Sequence, residues 1–233
     1  MARCMFSILI ENSENQTKST LLYKEHKDLL IEKHKQYSMK INADYKLFSD
    51  DDFYGFRERY SKYDCFDVIN YFKFYIFEIL ASDYDEILFI DFDILPNTNE
   101  DIFYQLKDDI ALVYRDIDDH EGISKHSYDK ELAELWWDPE IWLRCNSSVI
   151  LMKKETPRKL NYFKYVEWSD IDLKFIHNNE VFLGRAITGE NIKPNRLDSE
   201  WSKCDVNAKF MHFNMKSKMK DMIDEYQSTN AEN

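Results

Sequence analysis

The sequence predicts one α/β domain, and three stretches carry that prediction. Residues 6–10 read as an apolar strand, 18–36 as a helix and 45–48 as a second short strand. This β-α-β opening is of the kind found in nucleotide-binding α/β domains. Residues 65–81 hold the clearest helical periodicity, with Phe66, Ile69, Phe72, Ile76, Phe77 and Leu80 on one broad stripe. Directly afterwards, Glu86-Ile87-Leu88-Phe89-Ile90-Asp91-Phe92-Asp93 begins as a short buried strand and ends on two carboxylates.

Taken in order, the first strand ends at the polar turn Glu11-Asn12-Ser13-Glu14, and the first helix gains its apolar side from Leu21, Leu22, Leu29 and Leu30. The second strand stops at Ser49-Asp50-Asp51-Asp52. In the apolar helix Lys73 falls inside the stripe, so its ammonium either follows its stem out to water or reaches over the end of the sheet towards an anion. Asp91 and Asp93 point to one side if the extended conformation continues through Phe92. Two close carboxylates repel unless a cation or a shared proton lies between them, and open α/β sheets bind ligands beyond the carboxyl ends of their strands. The pair is therefore read as a divalent-metal site, against the alternative of a solvated acidic turn leading into Pro96-Asn97-Thr98.

Further on come a short helix at 100–106 and a strand at 110–114. The acidic loop 115–126 (Asp116, Asp118, Asp119, Glu121) reads as solvated, or as a second cation site. Trp136, Trp137 and Trp142 are either core or platforms for the C–H faces of sugars. A buried strand at 145–151, helices at 157–166 and 179–186, and a last strand at 209–213 complete the order. Residues 209–220 gather Lys209, Lys216, Lys218, Lys220 and His212, either an exposed basic helix or a clamp for phosphates with His212 as metal ligand. The domain is taken as 1–226, with 227–233 as a flexible tail.

Composition narrows the function. A chain of 233 residues with 44% hydrophobic and 15% aromatic content buries a full core and is not disordered. Its net charge of −13 argues against nucleic acid or anionic lipid as the main partner. An anionic ligand would need the field reversed locally by a metal and a few lysines. Cys4, Cys65, Cys145 and Cys204 lack C-x-x-C spacing and are expected as reduced thiols, with two disulfides as the alternative. With no apolar run of signal-peptide or membrane-spanning length, the chain is expected in the cytoplasm.

From residue 65 to 220, these pieces resemble in order the GT-A nucleotide-sugar glycosyltransferases, most closely the glycogenin and galactosyltransferase-like group, glycosyltransferase family 8. The helix bearing Lys73 and the run from Tyr84 to Asp93 look like that family's lysine-bearing helix and aspartate block. Ile94-Leu95-Pro96-Asn97 through Ile102-Phe103 is similar to its continuation. Asn146-Ser147-Ser148-Val149 resembles its asparagine strand, with Ser148 in place of a glycine. Asn179-Glu180 stands where the family has Asp-Gln. His212-Phe213 followed by Lys218 keeps the spacing of its histidine loop, with Met215 for a glycine and without the Pro-Trp.

The resemblance implies a Rossmann-like GT-A fold with a mostly parallel central sheet flanked by helices. It implies transfer of a sugar from a nucleoside-diphosphate sugar, a UDP-sugar by preference, to a hydroxyl acceptor on a glycan, protein or small molecule, a glycan first. Asp91, Asp93 and His212 would be ligands to Mn2+ or Mg2+, with Asp91, Lys73 and Lys218 at the donor phosphates. Leu9 to Asn12 would edge the base, and Asn146 would face the donor sugar. Glu180 is the first candidate for the base or for support of an oxocarbenium-like state, with Asp172 and Asp116 in reserve. Two rivals stand beside this reading. A haloacid-dehalogenase-like phosphatase would use Asp91 as nucleophile and Asp93 as acid/base, but that motif usually opens a domain and continues with Gly or Thr. A non-catalytic module binding sugar or a partner protein is favoured by the departures at Ser148, Asn179 and Met215.

Overall fold

The structure is a computed structural model and describes residues 1–11, 18–63, 65–114, 145–167, 178–213 and 219–231. Its described strands are β1 (Arg3–Ile8), β2 (Asp44–Phe48), β3 (Glu86–Ile90), β4 (Ile94–Pro96), β5 (Ile110–Tyr114), β6 (Cys145–Lys153), β7 (Pro194–Leu197) and β8 (Phe210–His212). Six form a mixed sheet in the order β2-β1-β3-β6-β5-β7. Five run one way and β6 alone runs against them, pairing antiparallel with both β3 and β5. The mostly parallel α/β fold is thus as expected.

The near-continuous apolar runs exist because helices cover both faces. Cys4 and Phe6 of β1, Ile87 and Phe89 of β3, and Ile110 and Leu112 of β5 pack into one core. It is shared with α2 (Asp50–Arg59), α3 (Cys65–Leu80) and a helix over Asn178–Gly189, through Phe53, Phe72, Phe77 and Phe182. The alternating residues Met5, Leu88, Ile90, Ala111 and Val113 face a second core with Tyr37 and Ile41 at the end of α1 (Lys18–Lys40), plus Trp201 and Phe210. Between Lys153 and that Asn178–Gly189 helix, here α6, lie α4 (Thr156–Leu160) and α5 (Tyr162–Glu167); α7 (Met219–Ala231) is last.

Several expectations need correction. Ser49-Asp50-Asp51-Asp52 does not merely stop β2 but starts α2: the Ser49 N–H donates to Asp52 Oδ2 at 2.8 Å, and the acidic first turn suits the helix N-terminus. The helix expected at 157–166 is two, separated by Asn161 with φ 47° in the left-handed region. The helix expected at 100–106 is a single 3-10 turn, Ile102–Gln105, with Asp101 Oδ1 accepting from the Phe103 N–H at 2.9 Å. β4 and β7 were not anticipated. β7 is a short edge strand opening on Pro194, so it has neither the apolar run nor the ladder demands of an inner strand. α7 runs on to Ala231, past the expected end of the domain. Cys4, Cys145 and Cys204 are free thiols. No helix among the described residues is long and apolar enough to cross a membrane.

Candidate active site

The site forms where β3 ends. Extended structure stops at Ile90, and the chain turns, with the Ile94 N–H donating to the Asp91 carbonyl at 3.1 Å. The expected extended run through Phe92 is therefore wrong, and strand alternation is not what aligns the two carboxylates. The reason lies in Phe92, which is buried beside Leu9, Leu30 and Met211. Burying that ring between two aspartates turns the backbone around it and leaves the two carboxylates side by side, Asp91 33% and Asp93 12% exposed. The Asp91 N–H continues the ladder to the Ser148 carbonyl at 2.8 Å, which fixes where the turn begins.

His212 arrives through a second, two-stranded sheet. β4 and β8 pair antiparallel with Ile94 opposite His212, and the Phe213 N–H donates to the Asp93 carbonyl at 3.0 Å. A ligand atom from each of Asp91, Asp93 and His212 lies within 4.8 Å of the others, although 119 residues separate Asp93 from His212. His212 Nε2 is 3.6 Å from Asp93 Oδ1, and His212 Nδ1 faces Ser202 Oγ at 3.0 Å. Two hard carboxylate donors and one imidazole nitrogen, with the other nitrogen held by a hydroxyl, fit a divalent cation of the manganese or magnesium type. Loss of hydration pushes the Asp91 carboxyl above its ordinary range; Lys73 pulls it back, and the neighbouring Asp93 adds to the rise.

Lys73 does not follow its stem out to water but reaches the Asp91 carboxylate at the end of β3. Its side chain is 3% exposed, and its ammonium stays inside. Nζ lies 3.1 Å from the Ser147 carbonyl, 3.5 Å from Asp91 Oδ1 and 4.5 Å from the centre of the Phe89 ring. Ser147 then leads to the other candidates. Its N–H donates to Glu180 Oε1 at 3.0 Å, and Asn179 Nδ2 donates to its hydroxyl at 2.6 Å. Asn146, half-buried, accepts the Ser148 N–H on Oδ1 at 2.8 Å. Asp91, Lys73, Ser147, Asn179 and Glu180 thus form one polar network under the carboxylate pair.

Leu9 is 6% exposed and packs in the apolar cluster with Phe92, so its side chain is core. Asn12, Asp116, Asp172 and Lys218 lie outside the described residues, as do the three tryptophans Trp136, Trp137 and Trp142. Ser147, Ser202 and His34 escaped the sequence reading. The fully buried His34 sits edge-on to Phe92, with Nε2 2.6 Å from the Ile94 carbonyl and Nδ1 3.1 Å from both Ser7 Oγ and the Tyr45 hydroxyl. Its signal was the stripe Leu30, His34, Tyr37, Ile41 at helical spacing.

No protein-family model and no curated protein matches the chain by sequence. Solved structures do match it by shape, and those below are glycosyltransferases. Mouse xyloside xylosyltransferase 1, in its apo form, aligns with a TM-score of 0.53 at 12% identity, over 93% of this chain and 99% of that one. The galactosyltransferase LgtC, solved with donor and acceptor sugar analogues, aligns with a TM-score of 0.56 at 11% identity over 95% of each chain. A glycosyltransferase involved in glycosylation of the major capsid of PBCV-1 aligns with a TM-score of 0.52 at 12% identity, over 94% of this chain and 98% of that one. The fold is therefore the GT-A glycosyltransferase fold, present over nearly the whole chain.

Proposed function

We propose that this chain is a metal-dependent glycosyltransferase that moves a sugar from a nucleoside-diphosphate sugar, a UDP-sugar, to a hydroxyl of a glycan acceptor. The observation that carries the reading is the convergence of Asp91, Asp93 and His212 at the end of a central strand in a GT-A fold. The phosphatase reading of the same two aspartates has no such support from the fold.

Asp91, Asp93 and His212 would hold manganese or magnesium, and that cation, when bound, neutralises charge on the departing diphosphate. The chain's own residues do the rest. Lys73, 3.5 Å from Asp91, opposes the rise that burial and the neighbouring Asp93 impose on that carboxyl. Through the Ser147 carbonyl it also ties the carboxylate pair to β6, the strand that carries Asn146. Asn146 would face the donor sugar. Glu180, held by the Ser147 N–H, would take the acceptor proton or support positive charge on the sugar ring. Lys218, Asp172 and Asp116 keep the roles that the family resemblance implies.

Calorimetric titration with UDP tests this directly. Affinity is expected to be weak in chelator, because an incoming diphosphate meets two carboxylates in an acidic protein, and to be restored by manganese. Manganese is expected to outperform magnesium, since an imidazole ligand suits it better. An affinity indifferent to metal would overturn the proposal.

A further inference from the structure

His212 shows its two nitrogens to two different settings. Nε2 faces Asp93, while Nδ1 lies 3.0 Å from Ser202 Oγ, and Ser202 Oγ lies 2.7 Å from Ser148 Oγ. We propose that Ser202 and Ser148 are positioning residues, a two-hydroxyl chain that sets the tautomer of His212 and with it the affinity for the cation. The inference rests on the metal reading above.

The argument is one of proton counting. A hydroxyl carries a single proton, so the chain has a direction. In one direction the His212 Nδ1–H donates to Ser202, Ser202 donates to Ser148, and Nε2 offers a lone pair to the space shared with the carboxylates. In the other, Ser148 donates to Ser202, Ser202 donates to Nδ1, and Nε2 carries a hydrogen aimed at Asp93. Of these two directions, only the first gives Nε2 the lone pair that a ligand needs. A cation therefore selects it, and groups that stabilise it raise cation affinity.

Both serines are held firmly. Ser148 lies in β6 at 3% exposure, and its carbonyl accepts the Asp91 N–H, so one residue anchors both the turn and the end of the hydroxyl chain. Ser202 follows a 3-10 turn, Ser199–Trp201, pinned by the buried Trp201. The next residue, Lys203, accepts the His212 N–H on its carbonyl at 2.9 Å. Position 148 is also where the sequence departs from the glycine of the family it resembles. A glycine has no hydroxyl to end such a chain, so the device belongs to this protein.

The test is titration with Mn2+ alone, followed by the electron paramagnetic resonance signal of the free ion, on the wild-type chain and on Ser202→Ala, Ser202→Thr and Ser148→Gly. Ser202→Ala is expected to weaken Mn2+ binding by about 10–100-fold, the range for loss of an outer-shell partner. Ser148→Gly should weaken it less, and Ser202→Thr, which keeps the hydroxyl, should bind close to wild type. In histidine-15N NMR with diamagnetic Mg2+, His212 of the wild type should be the Nδ1–H tautomer. Wild-type binding matched by both Ser202→Ala and Ser148→Gly would overturn this inference and leave the metal site standing. An Nε2–H tautomer in the Mg2+-bound wild type would overturn it too, together with His212 as a ligand through Nε2, even if Ser202→Ala failed to fold. No Mn2+ binding by the wild type would overturn both readings.

Discussion

Two buried histidines flank the turn at the end of β3, and they have different fates. His34 lies against the Phe92 ring on the core side, and His212 lies against the Asp93 carboxylate on the open side. Each has a serine hydroxyl near Nδ1, Ser7 at 3.1 Å and Ser202 at 3.0 Å. What separates them is the group opposite Nε2. A backbone carbonyl at 2.6 Å can only accept, so it fixes an Nε2–H on His34 and makes that residue a strut between α1 and β4. The Asp93 carboxylate also only accepts, but at 3.6 Å it lies beyond hydrogen-bond distance of His212 Nε2 and can itself hold a cation, so that nitrogen is able to serve as a ligand beside it. Burial and residue type alone do not tell a structural histidine from a ligand; the distance to the facing oxygen, and whether that oxygen can share a cation, do.

The largest effects should come from the open side. Asp93→Asn and His212→Gln are each expected to abolish the response of UDP affinity to manganese, a loss on the order of 100-fold or more, beyond that of an outer-shell partner. Near-isosteric changes are needed because His212 is buried in β8. A manganese response retained by either variant, measured by calorimetry, would remove that residue from the ligand set.

His34 should instead report on pH. Burial lowers its pKa to about 4, against 6.5 for the free side chain. Between those values the unfolded chain takes up a proton that the native chain refuses, so stability falls as pH drops from 6.5 towards 4. The loss through this one group is about 3 kcal/mol at the acid end. His34→Gln should flatten that window in urea unfolding curves while leaving the manganese response in place. A variant curve parallel to wild type through that window would show that His34 is not the group responsible.

Lys73 joins the two sides, and its effect should be mixed. Replacing it by methionine keeps the stem but removes the charge next to Asp91 and a donor to the Ser147 carbonyl. A loss of about 1–3 kcal/mol in stability is expected from the unsatisfied partner, together with weaker UDP binding in manganese. Unfolding unchanged with UDP affinity reduced would make Lys73 a ligand-binding group and nothing more.

Much of this was legible in the chain. Continuous apolar runs at 87–90, 110–114 and 149–152 mark strands covered on both faces, and the stripe from Phe66 to Leu80 marks α3, because burial on this scale leaves a periodic signature. The aspartate pair could be placed at a strand end for the same reason. The capping of α2 by Asp52 and the break at Asn161 depend on a few local polar contacts and are easily lost in an acidic sequence. β7 was hidden because an edge strand need not be apolar.

By itself, then, the sequence determined the layers of the fold, the strand that carries the site and the residue types able to bind a cation there. Only the tertiary structure decided how they meet. Local pattern cannot say that Phe92 turns inward and bends the chain between its aspartates, since that depends on a cluster with Leu9, Leu30 and Met211, drawn from distant segments. Nor can it say that β4 pairs with β8 in the register that sets His212 beside Asp93, or that Lys73 ends on Asp91 and not in water. Periodicity reports which face of an element is buried; the partner that each polar atom finds across that face is set by packing between segments far apart in the chain.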